Sequence, residues 1–464
     1  MSDILQRCLG ELSERVSHKK LTKVQENVVP ALLTTNHNIV VAAPTGSGKT
    51  LLLEMAMFSL FKDQLRKNRT DPAERGLKKA VYICPIKALA NEKYSLWKDT
   101  FHPLSVVIET GDQLRERSER DSLSSVSTAD IVVTTPERWD SITRRWKEKT
   151  VMSIVHSVGL LLLDEIHTVH EERGAALEAI VSRMMTIKLA VENGKSKTAS
   201  LGVVPHAVER VRFVAISGTL PNVEDFAKWL HVPPDMVFSF SNKDRPVPLS
   251  IHINGFTNDS NNPFAFDRFL TYKLYNTVKQ YSDGKPTMIF CTSRKEVVAS
   301  ALRLVEEIKT AAQREGRENE LIPSPEIQQL ANKATDKQLK ACLLLGFAFH
   351  HAALSLQDRL LVEEMFKDQY IAVVCTTTTL ALGVNLPAHL VIIKGTSFFK
   401  NGKREDIPLS DMAQMCGRAG RPGLDSHGVA VVLTTGQANR VVVFTSHYRM
   451  GTSIRRWRVS FTST

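Results

Sequence analysis

The sequence predicts an α/β protein of two tandem domains, each a mostly parallel sheet with helices on both faces. Three observations predict it. Short runs rich in Val, Ile and Leu recur, each ending in small polar residues: NIVVAAPTGSGKT, AVYICPIK, ADIVVTTPER, LLLLDEIH and RFVAISGTLP. Such runs lack the alternation of half-exposed strands, as expected where helices cover both faces of a sheet. A second set follows, TMIFCTSRK, IAVVCTTTTLALGVN, HLVIIKGTS and GVAVVLTTG. The chain of 464 residues is also about three times the usual domain length, so more than one core is expected.

Between the two sets lies SNKDRPVPLSIHINGFTNDSNNP, whose Pro, Asn and Ser content reads as a linker and the entry to the second domain. The expected divisions are an N-terminal extension over 1–18, a first domain over 19–240, a linker over 241–254, a second domain over 255–436 and a basic tail over 437–464. The polar stretch KTAAQREGRENELIPSPEIQQLANKATDKQ interrupts the second set and reads as helices with an exposed loop. No internal repeat points to a solenoid.

The hydrophobic fraction of 43% is that of a globular protein. Apolar runs fall short of the ~20 residues of a membrane span, and MSDILQRCLGEL is no signal peptide, so an intracellular setting is expected. Six cysteines stand singly, several inside apolar runs, and without a CxxC there is no zinc ribbon. The net charge of +11 favours polyanionic partners such as nucleic acid, although such an excess also serves solubility alone.

The segment APTGSGKT follows a strand-like run and precedes the helical LLLEMAMFSLF. It comprises Ala43, Pro44, Thr45, Gly46, Ser47, Gly48, Lys49 and Thr50. Glycines let the backbone approach phosphates, a helix N-terminus favours anions, Lys49 reaches outer phosphates and Thr50 can ligate magnesium. The bland alternative is a flexible Gly-Ser loop. In LLLLDEIH, two carboxylates end a strongly apolar run, and burying an unpaired carboxylate is costly. Asp164 is suited to hold magnesium and Glu165 to polarise the water that attacks a terminal phosphate. His167 stands three residues from His170, a spacing seen in zinc sites, but with no HExxH or cysteine partner it reads instead as a link to neighbouring polar groups. In QMCGRAGRPG, either arginine in isolation reads as a surface cation, but with a phosphate-binding motif in the same chain Gln414, Arg418 and Arg421 are suited to stabilise charge on a transferring phosphoryl group.

With APTGSGKT, DEIH, TTPERWD and QMCGRAGR in this order, the chain resembles superfamily-two helicases of the superkiller-like branch, which have two RecA-like domains. PIKALANEKY, FHHAALSLQDR, LALGVNLPAHLVIIKGTS and the connector RPVPL sharpen the likeness, which covers roughly residues 19–436. Together with FAFDRFLTYKLYNTVKQYSDGKPTMIFCTSRK they look most like the Mer-type meiotic crossover helicases. The resemblance implies an ATP- and Mg2+-dependent DNA helicase moving 3′ to 5′, acting in the nucleus in meiotic recombination. An RNA helicase of the same branch is the alternative, and a nucleotide-gated clamp that does not unwind is a third.

The resemblance also implies roles residue by residue. Gln25 in LTKVQ would read adenine, and Gly383 and Asn385 in LGVN would line the nucleotide cleft. Gln414, Arg418 and Arg421 would sense the terminal phosphate, with Arg421 as the finger. Lys87, Gly111, Thr135, Pro136, Arg138, Ser293, Arg294 and Thr377 would touch nucleic acid, mainly its backbone, which gives affinity without sequence preference. His167, Ser217 and Thr219 would couple nucleotide state to that grip. Gly218 stands where the family usually has alanine, which should loosen this strand end.

In SFFKNGKREDIPLS, Asn401 and Gly402 are a hairpin signal, Phe398 and Phe399 offer rings to a base pair, and Lys400, Lys403 and Arg404 offer cations. The family places a strand-separating hairpin here; an ordinary surface hairpin is the alternative. The family also continues into a winged helix and a helical ratchet, so the resemblance implies a chain shortened at its C-terminus. The tail, with Arg440, Arg449, Arg455, Arg456 and Arg458, reads as an unpaired remnant or as a further nucleic-acid contact.

Overall fold

A computed structural model describes residues 3–16, 21–66, 77–111, 118–170, 174–192, 211–218, 220, 222–257, 263–377, 386–400, 403–435 and 458–462. The chain divides into two compact units, Met1–Asp244 and Arg245–Thr464.

The first unit holds seven parallel strands: β1 (Ile39–Ala42), β2 (Lys79–Ile83), β3 (Val106–Glu109), β4 (Ile131–Thr134), β5 (Val158–Leu163), β6 (Arg212–Ser217) and β7 (Val237–Ser239). Their order across the sheet is β3-β4-β2-β5-β6-β1-β7. Both faces are covered, as the unbroken apolar runs require. Leu160, Leu162 and Tyr82 face one core, whereas Leu161, Leu163 and Val81 face the other. Successive side chains point to opposite sides, so a strand with cores on both faces must be apolar throughout.

Four helices bear on the site and the core beneath it: α1 (Asp3–Leu9), α2 (Lys23–Thr34), α3 (Lys49–Arg66) and α4 (Lys87–Thr100). The stretch expected as an N-terminal extension is part of the first unit's core, because Leu5, Leu9 and Leu12 of α1 and the turn after it are buried there.

In the second unit the strands are β8 (Leu249–Phe256), β9 (Thr287–Cys291), β10 (Phe347–His350), β11 (Val373–Thr377), β12 (Leu390–Lys394), β13 (Ser397–Lys400), β14 (Lys403–Asp406), β15 (Gly428–Thr435) and β16 (Arg458–Thr462). The parallel sheet runs β10-β11-β9-β12-β15-β8-β16, and β13 and β14 form a separate antiparallel pair. The expected linker over 241–254 is corrected here: from Leu249 it is β8, paired along its length with β15. Proline and asparagine at its flanks disguised a strand whose inward residues, Ile251, Ile253 and Phe256, are buried. Within the tail, expected to be unpaired, Arg458–Thr462 forms the edge strand β16 beside β8, and 437–457 lie outside the described residues. Among the described residues no helix is long and apolar enough to cross a membrane, and all six cysteines are free.

Arg245, the first residue of the second unit, is buried and pins the chain's entry to a distant turn. Its guanidinium donates to Gly417 O at 3.3 Å and Ala419 O at 2.8 Å. The same turn is locked by Gly420 N to Ala388 O at 2.7 Å and Ala388 N to Arg418 O at 3.0 Å. Gly428 packs directly under it: a Cβ there would lie 2.5 Å from both Ala419 C and Gly420 N. Backbone cannot retreat as a flexible side chain can. Gly428→Ala is therefore expected to lower the second unit's stability by about 2 kcal/mol or more, as overpacking does. Urea denaturation checks this, and an unshifted midpoint would contradict the close packing.

Candidate active site

The phosphate-loop motif leaves the carboxyl end of β1 and enters α3 at Lys49. Gly46 and Gly48 have φ of 81° and 84°, the left-handed region that favours glycine. The loop is clasped from α2. Thr22 Oγ1 donates to Ser47 O at 2.9 Å and Gln25 Nε2 donates to Gly48 O at 2.9 Å. Gln25 also closes a capping box at the start of α2, where its Oε1 accepts from Thr22 N at 2.8 Å. Gln25, expected to read adenine, is 1% exposed, and here its amide bonds the loop and the cap. Gln25 Nε2 lies only 2.3 Å from where a Cβ on Gly48 would sit, but that amide could shift; the φ of 84° is what favours glycine here. Lys49 Nζ donates to the carbonyls of Ala43 and Pro44 at 2.9 and 3.2 Å, and Thr50 follows it half-buried in the first turn of α3. Ser47 Oγ is buried with no hydrogen-bond partner. Buried polar atoms rarely stay unpaired, and here one sits among left-handed glycines at a helix start, the donor set that suits a phosphate.

The DEIH motif leaves β5. The order β5-β6-β1 sets its end beside Ser217 at the end of β6 and the loop at the end of β1. Both Asp164 oxygens accept hydrogen bonds, Oδ1 from the Glu165 amide at 2.9 Å and Oδ2 from the Tyr82 hydroxyl at 2.6 Å. Burial first, and the Glu165 charge second, push the Asp164 carboxyl up to about 6, against the Tyr82 hydrogen bond and the positive charges of Lys93 and Lys49. A divalent cation would reverse that balance. Burial first, then the Asp164 charge, pushes the Tyr82 phenol well above its usual range, so it stays a donor. Glu165 has φ of 48°, a strained conformation for a residue with a side chain. Its Oε2 takes no hydrogen bond and lies 3.4 Å from His167 Nδ1. His167 Nδ1 is in turn 2.8 Å from Ser217 Oγ. The arrangement thus brings His167, Glu165 and Ser217 together. Thr219, Gly383 and Asn385 lie outside the described residues.

In the second unit Gln414 lies on the helix Leu409–Gly417, with Arg418 as its C-cap. Arg421 closes on Asp425 with Nε to Oδ2 at 2.9 Å, Nη2 to Oδ1 at 3.1 Å and its backbone N to Oδ2 at 3.0 Å. Its Nη1 reaches Gln369 Oε1 at 3.1 Å. His389 Nδ1 and Lys285 Nζ stand 3.3 and 3.8 Å from the same carboxylate. Burial alone would raise Asp425, but the hydrogen bonds and charge of Arg421 outweigh it and hold the carboxyl down at about 2.

The expected nucleic-acid contacts divide. Lys87 heads α4 after β2, Gly111 follows β3 and Thr135 follows β4, so these three stand at the carboxyl ends of the neighbouring strands β3-β4-β2. Lys87 and Gly111 are exposed, whereas Thr135 and Pro136 are buried at the start of the helix Pro136–Thr143. Arg138 is corrected: it turns inward, with Nε on Glu109 Oε1 at 2.8 Å and Nη2 on Ser122 Oγ at 2.8 Å, and its side chain is 3% exposed. A buried cation needs a buried anion, and Glu109 at the end of β3 supplies it. Ser293, exposed, caps the helix Arg294–Glu315 by accepting from Glu296 N at 3.3 Å; Arg294 is exposed and Thr377 ends β11 next to β9. The hairpin of β13 and β14 is present, with its tip at 401–402 outside the described residues. Its two rings do not act alike, because strand side chains alternate. Phe398 packs against the core, and the exposed Phe399 stacks on Phe264 with centroids 5.1 Å apart.

Comparison with known families matches residues 22–226 to the DEAD/DEAH box helicase domain. Residues 304–423 match the helicase conserved C-terminal domain. The two matches are to the two domains of a helicase core, in that order along the chain. Among the relatives of this chain, a protein named probable ATP-dependent DNA helicase HFM1 from Xenopus tropicalis is 38% identical over 417 residues, 89% of this chain and 29% of that protein. ATP-dependent DNA helicase MER3 of Saccharomyces cerevisiae is 35% identical over 418 residues, 89% of this chain and 31% of that protein. DExH-box ATP-dependent RNA helicase DExH14 of Arabidopsis thaliana is 38% identical over 412 residues, 88% of this chain and 17% of that protein. The chain thus spans less than a third of the length of these relatives.

Sequence reasoning missed Tyr82 and Asp425. A tyrosine inside an otherwise aliphatic buried run needs a partner for its hydroxyl, which was the available signal for the first. Asp425 stands four residues after Arg421, a spacing that pairs opposite charges. A carboxyl held below its usual value contributes stability above about pH 4 and loses it as pH falls through about 2. Asp425→Asn is accordingly expected to cost the second unit about 2 kcal/mol at neutral pH. Urea denaturation of both forms across acid pH should show the gap closing between about pH 4 and 2.

Proposed function

We propose that this helicase is an ATP- and Mg2+-dependent DNA translocase acting in meiotic recombination, moving 3′ to 5′ in a nuclear setting. The observation that carries the reading is the row of adjacent strand ends. It sets the phosphate loop of β1, Ser217 of β6 and the Asp164–Glu165 pair of β5 side by side. The orphaned Ser47 Oγ and Glu165 Oε2 fit a nucleotide with its metal. Bound ATP and magnesium supply the phosphoanhydride and neutralise its charge. Lys49 and the amides at the start of α3 hold phosphates, while Thr50 and Asp164 hold the metal. Glu165 accepts a proton from the attacking water, and Arg421 stabilises charge on the terminal phosphoryl group. His167, through Ser217, passes the state of Glu165 to the end of β6. Lys87, Gly111, Arg294 and the exposed Phe399 grip one strand through phosphates and stacking.

DNA is supported by the relatives named as DNA helicases. An RNA helicase is the second reading, favoured by the equal identity to DExH14. ATPase stimulation by single-stranded DNA and by single-stranded RNA of the same length decides between them; stronger stimulation by RNA would sink the DNA reading. Lys49→Ala is expected to weaken ATP binding. Glu165→Gln is expected to keep binding and abolish most turnover, so wild-type turnover in that variant would remove Glu165 from the chemistry. Arg421→Ala is expected to lower turnover by a factor on the order of 10³ with a smaller effect on ATP affinity. Steady-state rates and equilibrium binding separate the two effects.

A further inference from the structure

Tyr82 stands 82 residues before Asp164, and nothing in the phosphate-site motifs calls for it. It is the penultimate residue of the buried strand β2, and its hydroxyl donates to Asp164 Oδ2 at 2.6 Å. We infer that Tyr82 is a positioning residue: its hydroxyl orients the metal-holding carboxylate of Asp164, and its ring ties that carboxylate to the helix headed by Lys87. The inference rests on the reading of Asp164 as a magnesium ligand.

Two observations carry it. The first is the carboxylate's own bonding. One Asp164 oxygen is fixed by a backbone amide and the other by the phenol, so the plane of the carboxylate is set from both sides. Loss of the phenol takes this donor from Oδ2 in a desolvated place and frees the carboxylate to turn about its last torsion. Donors that orient metal ligands commonly change metal affinity by about tenfold or more when removed.

The second is what lies behind the ring. Tyr82 meets Trp97 edge-on, with centroids 4.9 Å apart and planes at 74°. Trp97 Nε1 donates to Glu54 Oε1 at 3.0 Å, and Trp97 and Glu54 are both buried. Trp97 belongs to α4, whose first residue is the exposed Lys87, and Glu54 belongs to α3, whose first residue is Lys49. Buried indole and carboxylate groups without partners are costly, so this pairing keys α4 to α3 in one register. A displacement of α4 by nucleic acid at Lys87 therefore has a contiguous packed route, Trp97 to Tyr82, to the metal-holding oxygen. The β2 strand makes the route short, because it is both the neighbour of β5 and the strand from which α4 follows.

The test uses the full chain and the variants Tyr82→Phe and Trp97→Phe, with binding of a fluorescent ADP analogue titrated against Mg2+ and repeated in EDTA, with and without single-stranded DNA. In the wild type, DNA is expected to shift the Mg2+ concentration at half-saturation; no shift overturns the tie to the Lys87 helix. Tyr82→Phe keeps the ring and is expected to raise that concentration about tenfold. It should leave ADP binding in EDTA unchanged, which a general loosening of the fold would not. It should also abolish the shift caused by DNA. An unchanged Mg2+ midpoint in a variant that melts cooperatively overturns the orienting role. A raised midpoint that still responds to DNA as the wild type does overturns the tie to the Lys87 helix. Should Tyr82→Phe fail to fold, Trp97→Phe carries the test. It leaves the phenol on Asp164 but removes the indole's bond to Glu54 and part of its packing on Tyr82, so the shift caused by DNA shrinks; an undiminished shift overturns the proposal. If the wild type shows no Mg2+-dependent ADP binding, the functional reading itself fails, and that is seen before any variant is compared.

Discussion

A parallel sheet covered on both faces leaves one place for polar chemistry, the ends of its strands. The first unit obeys that constraint throughout. β1, β5 and β6 are buried along their lengths, and the phosphate loop, the Asp164–Glu165 pair and Ser217 begin where they stop. The ends of β3, β4 and β2 carry Gly111, Thr135 and the loop to Lys87. The order β3-β4-β2-β5-β6-β1-β7 thus sorts the ends into two groups, with β2 and β5 at the seam. Contact between a residue of one group and a residue of the other is easiest at that seam, where Tyr82 meets Asp164.

Electrostatics differs between the units in a way that depends on their partners. At the end of β5 two adjacent carboxylates are drawn out of water, and the nearest cations do not cancel them: Asp164 sits at about 6. Such a site is costly to maintain and favours whatever brings positive charge to it. Arg421 in the second unit is in the opposite condition. Asp425 already takes its charge through a two-pronged contact, so the guanidinium is aimed and held instead of searching among rotamers. Preorganised cations of this kind lose little on meeting a phosphoryl group, because their ordering is completed on folding.

The turn carrying Arg418 and Arg421 shows how much backbone is needed to hold two arginines. Arg245 satisfies two of its carbonyls, Ala388 exchanges hydrogen bonds with it, and Gly420, with φ of 91°, faces Val247 closely enough that a Cβ would lie 2.6 Å from that side chain. The connector RPVPL is therefore a structural part of the turn that carries the two arginines. Composition hid this, since prolines beside a charged residue look like a linker.

The sequence by itself determined the two-sheet architecture, the phosphate loop, the DEIH pair and the arginine turn, because each depends on contiguous residues whose backbone preferences are local. Only the tertiary structure decided which side chains face inward. Arg138 reads as a surface cation until Glu109, 29 residues earlier, is placed beside it on the neighbouring strand. Phe398 and Phe399 look alike in a row, and the alternation of β13 sends one to the core and the other outward. That Gln25 also clasps the loop 23 residues away is seen only in the fold. Tyr82 acquires a role only once β2 and β5 are neighbours. Strand order is set by how the helices cover the sheet, a property of the whole core, and no local pattern in β2 or β5 encodes it.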